Sequence, residues 1–362
     1  MRIRKQRGGG GGLAVLVVLH AVTRQPALEN YRSNGKRRKN RNCKGVIPAE
    51  WELFGHLTAL KLYPLKSGKG INLEEAEPTF LGLKSGLLRD RFFIVYDERG
   101  CFVSGRKYPK MVLITVSAAD NGSFKFEAPG HESLIIESPE RLSKQHYKDH
   151  KFNIRLWSNR VTGLDAGDEA AKWISQLLLS KEDGLRIGCY VPDIAVERKV
   201  TPLDKVYKNL TSDDTGAYSD LSAFLLISED SVAELNERLE DPDKVTYENF
   251  RPNLLIKSKD GKKPFMEDDW EWCRIGDKNG PVFRSVKPCT RCIFTTVDPK
   301  TGVKNEHMEP LNTLKLYRKL KDPEALRLEG DSPVMGVNLG LYKDGNLKVG
   351  DPIYVGIVNK SS

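Results

Sequence analysis

Apolar residues in this chain come mostly in short runs parted by turn residues, and that pattern restricts the fold more than any other feature. The stretch FFIVYDERGCFVSGR, residues 92–106, reads as two β-rich runs joined by Asp97-Glu98-Arg99-Gly100, a hairpin pattern. MVLITVSAADNGSFKFEAPG, 111–130, repeats the scheme, with Asn121-Gly122 at the turn and Phe124 and Phe126 alternating after it. The chain closes on NLKVGDPIYVGIV, a β pattern with Gly350 and Pro352 at a turn or bulge. Helical spacing is confined to a few places. Ala170, Trp173, Leu177 and Leu178, with Asp168 near the start, predict a helix over about 168–180. FLLISEDSVAELNERL predicts a strand, an N-cap at Ser228 and a helix carrying Val232, Leu235 and Leu239. EPLNTLKLYRKL predicts a short helix opened by Pro310, with Leu311, Leu314 and Tyr317 on one side. Many short strands, few helices and no βαβ alternation predict a mainly β (α+β) chain: β-barrel-like domains with helical decoration. No glycine-rich loop opens a helix, so no tightly bound nucleotide is expected.

At 362 residues the chain has room for about two domains. Its net charge of +9 resembles a nucleic-acid signal until it is located. Residues 1–42 hold eleven Lys/Arg and one acid, Glu29, a net of +10, which leaves −1 for everything after them. A body this close to neutrality exerts no general pull on phosphate backbones, so no nucleic-acid partner is expected. Within the basic segment, residues 8–22 lack Lys, Arg, Asp and Glu, and Leu13 to Val22 are strongly apolar. That is short of the about 20 residues that span a bilayer. A secretory signal, a mitochondrial presequence or signal-anchor, and a disordered tail all fit; the lack of any acid before Glu29 favours the mitochondrial reading. The run GKRRKNRN, 35–42, reads as a solvated linker or tether.

Of six cysteines, Cys43, Cys101, Cys189, Cys273, Cys289 and Cys292, only the last two are closely spaced, in KPCTRCIFTTVDPKTG. A structural zinc site wants four ligands, and no second short-spaced pair exists, His307 lying fifteen residues beyond Cys292. A redox dithiol would open a helix after a strand, whereas IFTTV is a β run. Two inert cysteines, or one thiolate on a soft-tolerant transition metal with Thr290 and Arg291 beside it, remain. Three polar clusters bear on the second option. YPLKSGKG places Lys66, Ser67 and Lys69 in a glycine-flanked turn suited to an anion. LLRDRFFIVYD sets Arg89 and Arg91 at the mouth of an apolar strand, with Asp90 or Glu98 as ordinary ion-pair partners. NFRPNLLI holds Arg251 and Asn253 either side of a stiff proline at a strand entrance, fit for a planar heterocycle or phosphate.

Taken in order, LYPLKSGKG, GLLRDRFFIVYDERG, RKYPKMVLI, NFRPNLLI, DDWEWCRIGD, KPCTRCIFTTVDPKTG and LKVGDPIYV resemble the MOSC-domain proteins, in particular their amidoxime-reducing group, over about residues 55–357. The resemblance implies a basic targeting or anchoring segment over 1–42, an N-terminal MOSC-associated barrel-like domain over 43–185 and a MOSC β-barrel domain over 186–357. It implies a molybdenum cofactor, Mo-molybdopterin, with Cys292 as the metal's thiolate ligand and Cys289 a neighbour. By motif match Lys66, Ser67 and Arg91 would hold phosphate and pterin, and Arg251, Asn253, Thr290 and Arg291 the pterin side. Ser222 is kept where a neighbouring family threonine is replaced by Leu221, and Gly68 stands where the family often has cysteine. Asp268 matches an acid near the metal and would relay protons. The implied activity is reduction of amidoximes, hydroxylamines and N-oxides, with electrons from NADH through cytochrome b5 reductase and cytochrome b5, at the mitochondrial outer membrane facing the cytosol. The alternative is a carrier of the cofactor, akin to the MOSC domains of cofactor sulfurases.

Overall fold

The computed structural model describes residues 47–142, 144–261 and 263–357, which belong to one compact body; the anchor expected over 1–42 lies outside them. Among the described residues no helix is long and apolar enough to cross a membrane. Among the described residues strand also outweighs helix, 36% to 23%, as the short apolar runs predict.

Seven strands close into a barrel. Their order is Leu254–Ser258, Phe224–Ser228, Val334–Lys343, Val282–Thr290, Trp272–Ile275, Pro352–Ile357 and Glu50–Leu62, and the last pairs back onto the first. Closure depends on the long strand Glu50–Leu62 serving two neighbours in turn: Glu50 to His56 pair with Pro352–Ile357, and Gly55 to Leu60 with Leu254–Ser258. The strand bends where these partners change, with register shifts on both sides of Gly55. A Cβ at Gly55 would stand 1.9 Å from the Lys257 carbonyl oxygen, so only glycine permits the close approach. Phe54, Leu57, Leu226, Leu254, Ile256, Phe283, Val337 and Ile353 are among the buried side chains of the barrel core.

One pair in this barrel is parallel. Phe224–Ser228 runs into the helix Glu229–Glu237 and the chain returns as Leu254–Ser258, Leu226 opposite Leu254. The sequence reading expected no such βαβ unit. Both strands are buried nearly throughout, the mark of parallel strands covered on both faces. Ser228 caps the helix as predicted, its hydroxyl accepting from the Asp230 amide, and Val232 and Leu235 pack toward Phe250, Leu314 and Met335.

The other large sheet is antiparallel: Lys151–Leu156, Asn159–Asp165, Leu185–Cys189, Phe93–Asp97, Phe102–Val103. A three-stranded sheet, Leu134–Ile136, Phe124–Glu127, Thr115–Ala118, shares its core through Phe93, Val95, Val116, Phe126 and Ile187. Both predicted hairpins form. Asp97 caps the first, its carboxylate accepting from the Arg99 and Cys101 amides, and Gly122 turns the second at φ 79. The helix Asp168–Leu179 lays Ala170, Trp173 and Ile174 on this core, and Leu311–Tyr317 begins after Pro310.

Candidate functional site

The strand Val282–Thr290 delivers the two cysteines to different environments. Cys289 is half-buried against the cluster of Phe250, Leu314 and Met335. Cys292 is exposed and heads the 3-10 turn Ile293–Thr296, its carbonyl accepting from the amide and hydroxyl of Thr295. Protein crowded about the Cys292 thiol holds its pKa above the ordinary value, while the Phe294 amide and the Arg106 and Arg291 guanidiniums favour the thiolate. Cys189 and Cys273, wholly buried, are pushed further up and are inert. Among the described residues no group of three or more His, Cys, Asp or Glu could hold a metal, so the zinc reading finds no site there.

Backbone stitching brings the remaining segments together. The Arg91 amide donates to the Tyr63 carbonyl, the Lys66 amide to Phe93, and the Tyr218 amide to Arg91. Ser67, Arg91 and Arg251 all sit in the left-handed region, at φ 67, 54 and 57. Such strain in non-glycine residues collects at functional sites. The Arg91 and Arg251 guanidiniums lie over the ring of Tyr63, 5.0 and 4.2 Å from its centroid. Asp90, 1% exposed, anchors the group: it pairs with Arg91 and accepts from the Tyr63 amide (2.9 Å) and Asn253 Nδ2 (3.0 Å). The ordinary ion pair anticipated for Arg91 is therefore present, and Asn253 is spent on Asp90 and the Lys61 carbonyl.

Lys66, 4% exposed, donates to Asp220 Oδ1 (2.6 Å) and the Tyr218 carbonyl (3.0 Å). Burial lowers its pKa to about 8 although Asp220 opposes the shift. Burial likewise lowers Arg251 to about 10, and its Nη2 is buried with no hydrogen-bond partner. Arg198 completes the cluster by donating to the Gly216, Ser219 and Asp220 carbonyls. Four cations, Lys66, Arg91, Arg198 and Arg251, thus face two carboxylates, Asp90 and Asp220. Buried charge left uncompensated is costly, and this cluster carries more cations than carboxylates.

Other sequence-selected residues serve different partners. Arg291 gives its guanidinium to the Met335 and Phe250 carbonyls, fixing the thiol loop to the barrel. Thr290 donates to Glu329, and Ser222 to the Phe224 carbonyl and Asn338. Asp268 pairs with Arg318; burial raises its pKa, Arg318 opposes, and its Oδ1 has no partner. Sequence reasoning missed Tyr63, Asp220 and Arg198 as members of the group. Tyr63 alone stood inside a motif singled out as a site; a lone aspartate or arginine such as Asp220 or Arg198 carries no spacing signal.

Among solved structures the YUAD protein from Bacillus subtilis is similar at 9% identity and TM-score 0.32, over 84% of this chain and 98% of that one. Residues 54–181 match the MOSC N-terminal beta barrel domain and residues 213–354 the MOSC domain. Mitochondrial amidoxime reducing component 2 of Bos taurus is 38% identical over 300 residues, 83% of each chain. Mitochondrial amidoxime-reducing component 1 of Homo sapiens is 38% identical over 301 residues, again 83% of each. With both domains matched and this identity sustained over most of its length, the chain belongs to the MOSC-domain family, among the mitochondrial amidoxime reducing components.

Proposed function

We propose that the chain is a molybdenum-cofactor-dependent reductase of N-hydroxylated compounds: amidoximes, hydroxylamines and N-oxides. The observation that carries this reading is the buried, unpartnered Nη2 of Arg251 within a cation-rich cluster close to the one exposed cysteine among the described residues. A donor set of this kind fits a phosphate-bearing heterocycle whose soft metal takes a single thiolate. Lys66, Ser67 and Arg91 would hold the phosphate and pterin, Arg251 the pterin, and Cys292 the metal. Asn253, Ser222, Thr290 and Arg291, already bonded within the protein, contribute by shaping the backbone around the group. When bound, the cofactor supplies the redox centre at which oxygen leaves nitrogen.

The chain's own residues bind, orient and hold protons. Asp268 serves as the acid, its unpartnered Oδ1 open to a proton; burial raises its pKa, and the paired Arg318 opposes the rise. Electrons come from NADH by way of cytochrome b5 reductase and cytochrome b5, in keeping with a sequence that carries no nucleotide-binding loop. The relatives' names place those proteins in mitochondria; for this chain we assign the outer membrane, with the site facing the cytosol.

The test is molybdenum and pterin analysis of the purified protein, followed by amidoxime reduction with added cytochrome b5 and its reductase. Cys292→Ser is expected to abolish activity with the unfolding midpoint unchanged, whereas Cys289→Ser stays active and costs about 1 kcal/mol or less. Zinc in place of molybdenum, lost together with the fold in both variants, would overturn the reading.

A further inference from the structure

Trp157 is out of place by every local rule. It and Ser158 form the two-residue loop between Lys151–Leu156 and Asn159–Asp165, where Leu156 pairs with Asn159. Its φ is 55, in the left-handed region that asparagine and glycine favour in such loops and bulky side chains avoid. Its side chain is 42% exposed, so burial in a core does not compensate the strain. What the indole does touch is the site. Its Nε1 donates to Asp220 Oδ1 at 2.9 Å, the oxygen that also accepts from Lys66. The Arg106 guanidinium lies over the ring, 4.3 Å from the centroid, and Phe102 packs its edge at 4.8 Å.

Arg106 is itself fixed to the thiol loop. A Cβ on neighbouring Gly105 would stand 2.2 Å from the Phe294 ring, so the turn carrying Arg106 rests directly on a residue two beyond Cys292. Arg106 and Asp220, the two polar partners of the indole, are also electrostatic neighbours of the Cys292 thiol. The indole therefore stands, through Arg106, beside the loop that carries the exposed Cys292 thiol.

We propose that Trp157, braced by Arg106 and Asp220, is the platform on which flat aromatic, uncharged substrates stack beside the Cys292 loop, and that Arg106 repels the charged product. The proposal rests on the reductase reading above. An amidoxime is planar and neutral near pH 7. Its reduction takes two electrons from the haem-protein donor and two protons, breaks the N–O bond, releases water and leaves an amidine. The amidine is a strong base and takes a further proton to become an amidinium. Beside the indole it meets the Arg106 guanidinium over the ring, where like charges repel, while the Asp220 carboxylate is already engaged by Lys66 and the indole N–H. The neutral substrate meets only an aromatic face and a polarising cation, which favour stacking. Trp157 is thus a specificity-determining residue, and Arg106 a discriminator between substrate and product.

The experiment compares benzamidoxime with acetamidoxime, which carries the same reacting group and no ring. In the full-length loaded enzyme Trp157→Ala should raise the KM for benzamidoxime about tenfold, with kcat and the acetamidoxime KM within about twofold of the original. Arg106→Gln should lower the inhibition constant of benzamidine about tenfold. Independently of turnover, benzamidoxime should quench tryptophan emission saturably in the wild type and not in Trp157→Phe. Trp157→Gly, suited to positive φ, serves as the folding control and should melt no lower than wild type. Equal KM changes for both substrates, persistent quenching in the Phe variant, or an unmoved benzamidine constant would overturn the proposal. Wild-type protein that holds molybdenum and reduces neither substrate, yet loses quenching in Trp157→Phe, would sink the reductase reading and leave the platform standing.

Discussion

Asp90 sets the charge balance of the cluster, because a 1% exposed carboxylate tolerates its position only while Arg91 and two N–H donors face it. Arg91→Ala leaves that charge buried and unpaired, and is expected to cost about 3 kcal/mol in chemical denaturation. Asp90→Asn in the same chain removes the charge and should return most of the loss. The double variant separates stability from binding: if Arg91 holds the cofactor, pterin content should stay low, an affinity loss of roughly ten- to a hundredfold, even when the fold is restored. Full pterin content in the refolded double variant would take Arg91 out of the site. At this scale the identities of Ser67, Arg91 and Arg251 were legible in their motifs. Their shared left-handed backbone was not, since φ at a non-glycine residue is imposed by neighbours remote in sequence.

The 3-10 turn Met266–Asp269 locks onto the strand-to-helix junction through Glu267, which is wholly buried. Glu267 Oε1 accepts from the Ser228 amide (3.2 Å) and Ser231 hydroxyl (2.8 Å), while Oε2 has no partner. Burial raises its pKa, the hydrogen bonds oppose, and the Asp268 charge adds to the rise. A carboxyl whose folded pKa is raised binds more protons in the native state than in the unfolded one, so stability falls as pH climbs from the ordinary carboxylate range through the folded pKa. Glu267→Gln keeps an acceptor oxygen and cannot ionise. Its stability relative to wild type should therefore grow as pH rises above the ordinary carboxylate range, read from unfolding midpoints at each pH; a flat difference would mean that burial does not raise the Glu267 pKa in the fold. The helix of this same element was legible from the spacing of Val232 and Leu235 and the cap at Ser228. The parallel return to Leu254–Ser258 was not, because the irregular residues after the helix carry no period that announces which strand follows.

For the whole molecule, charge is divided along the chain: +10 in residues 1–42 and −1 after them. Every residue assigned to the cofactor lies beyond Tyr63, inside the compact body that begins at Lys44. A fragment from Cys43 should accordingly be soluble and still reduce amidoximes in vitro. Residues 1–45 fused to a fluorescent reporter should carry it to mitochondria. Secretion of the reporter would favour the signal-peptide reading instead, and a diffuse cytosolic reporter would leave the apolar run without a targeting role.

By itself the sequence determined the strand-rich class, both hairpins, three helices and the cysteine pair, because turn chemistry and side-chain period act over a few residues and can be read where they stand. Closure of the barrel and assembly of the site belonged to the tertiary structure alone. The barrel shuts only when Gly55 meets Lys257, and the cluster exists only when Asn253 reaches Asp90 across 163 positions and Lys66 reaches Asp220 across 154. No local pattern encodes such meetings. They arise when buried cations must find carboxylates and carbonyls in a core that offers no water, and that requirement has an answer only once the whole chain has folded.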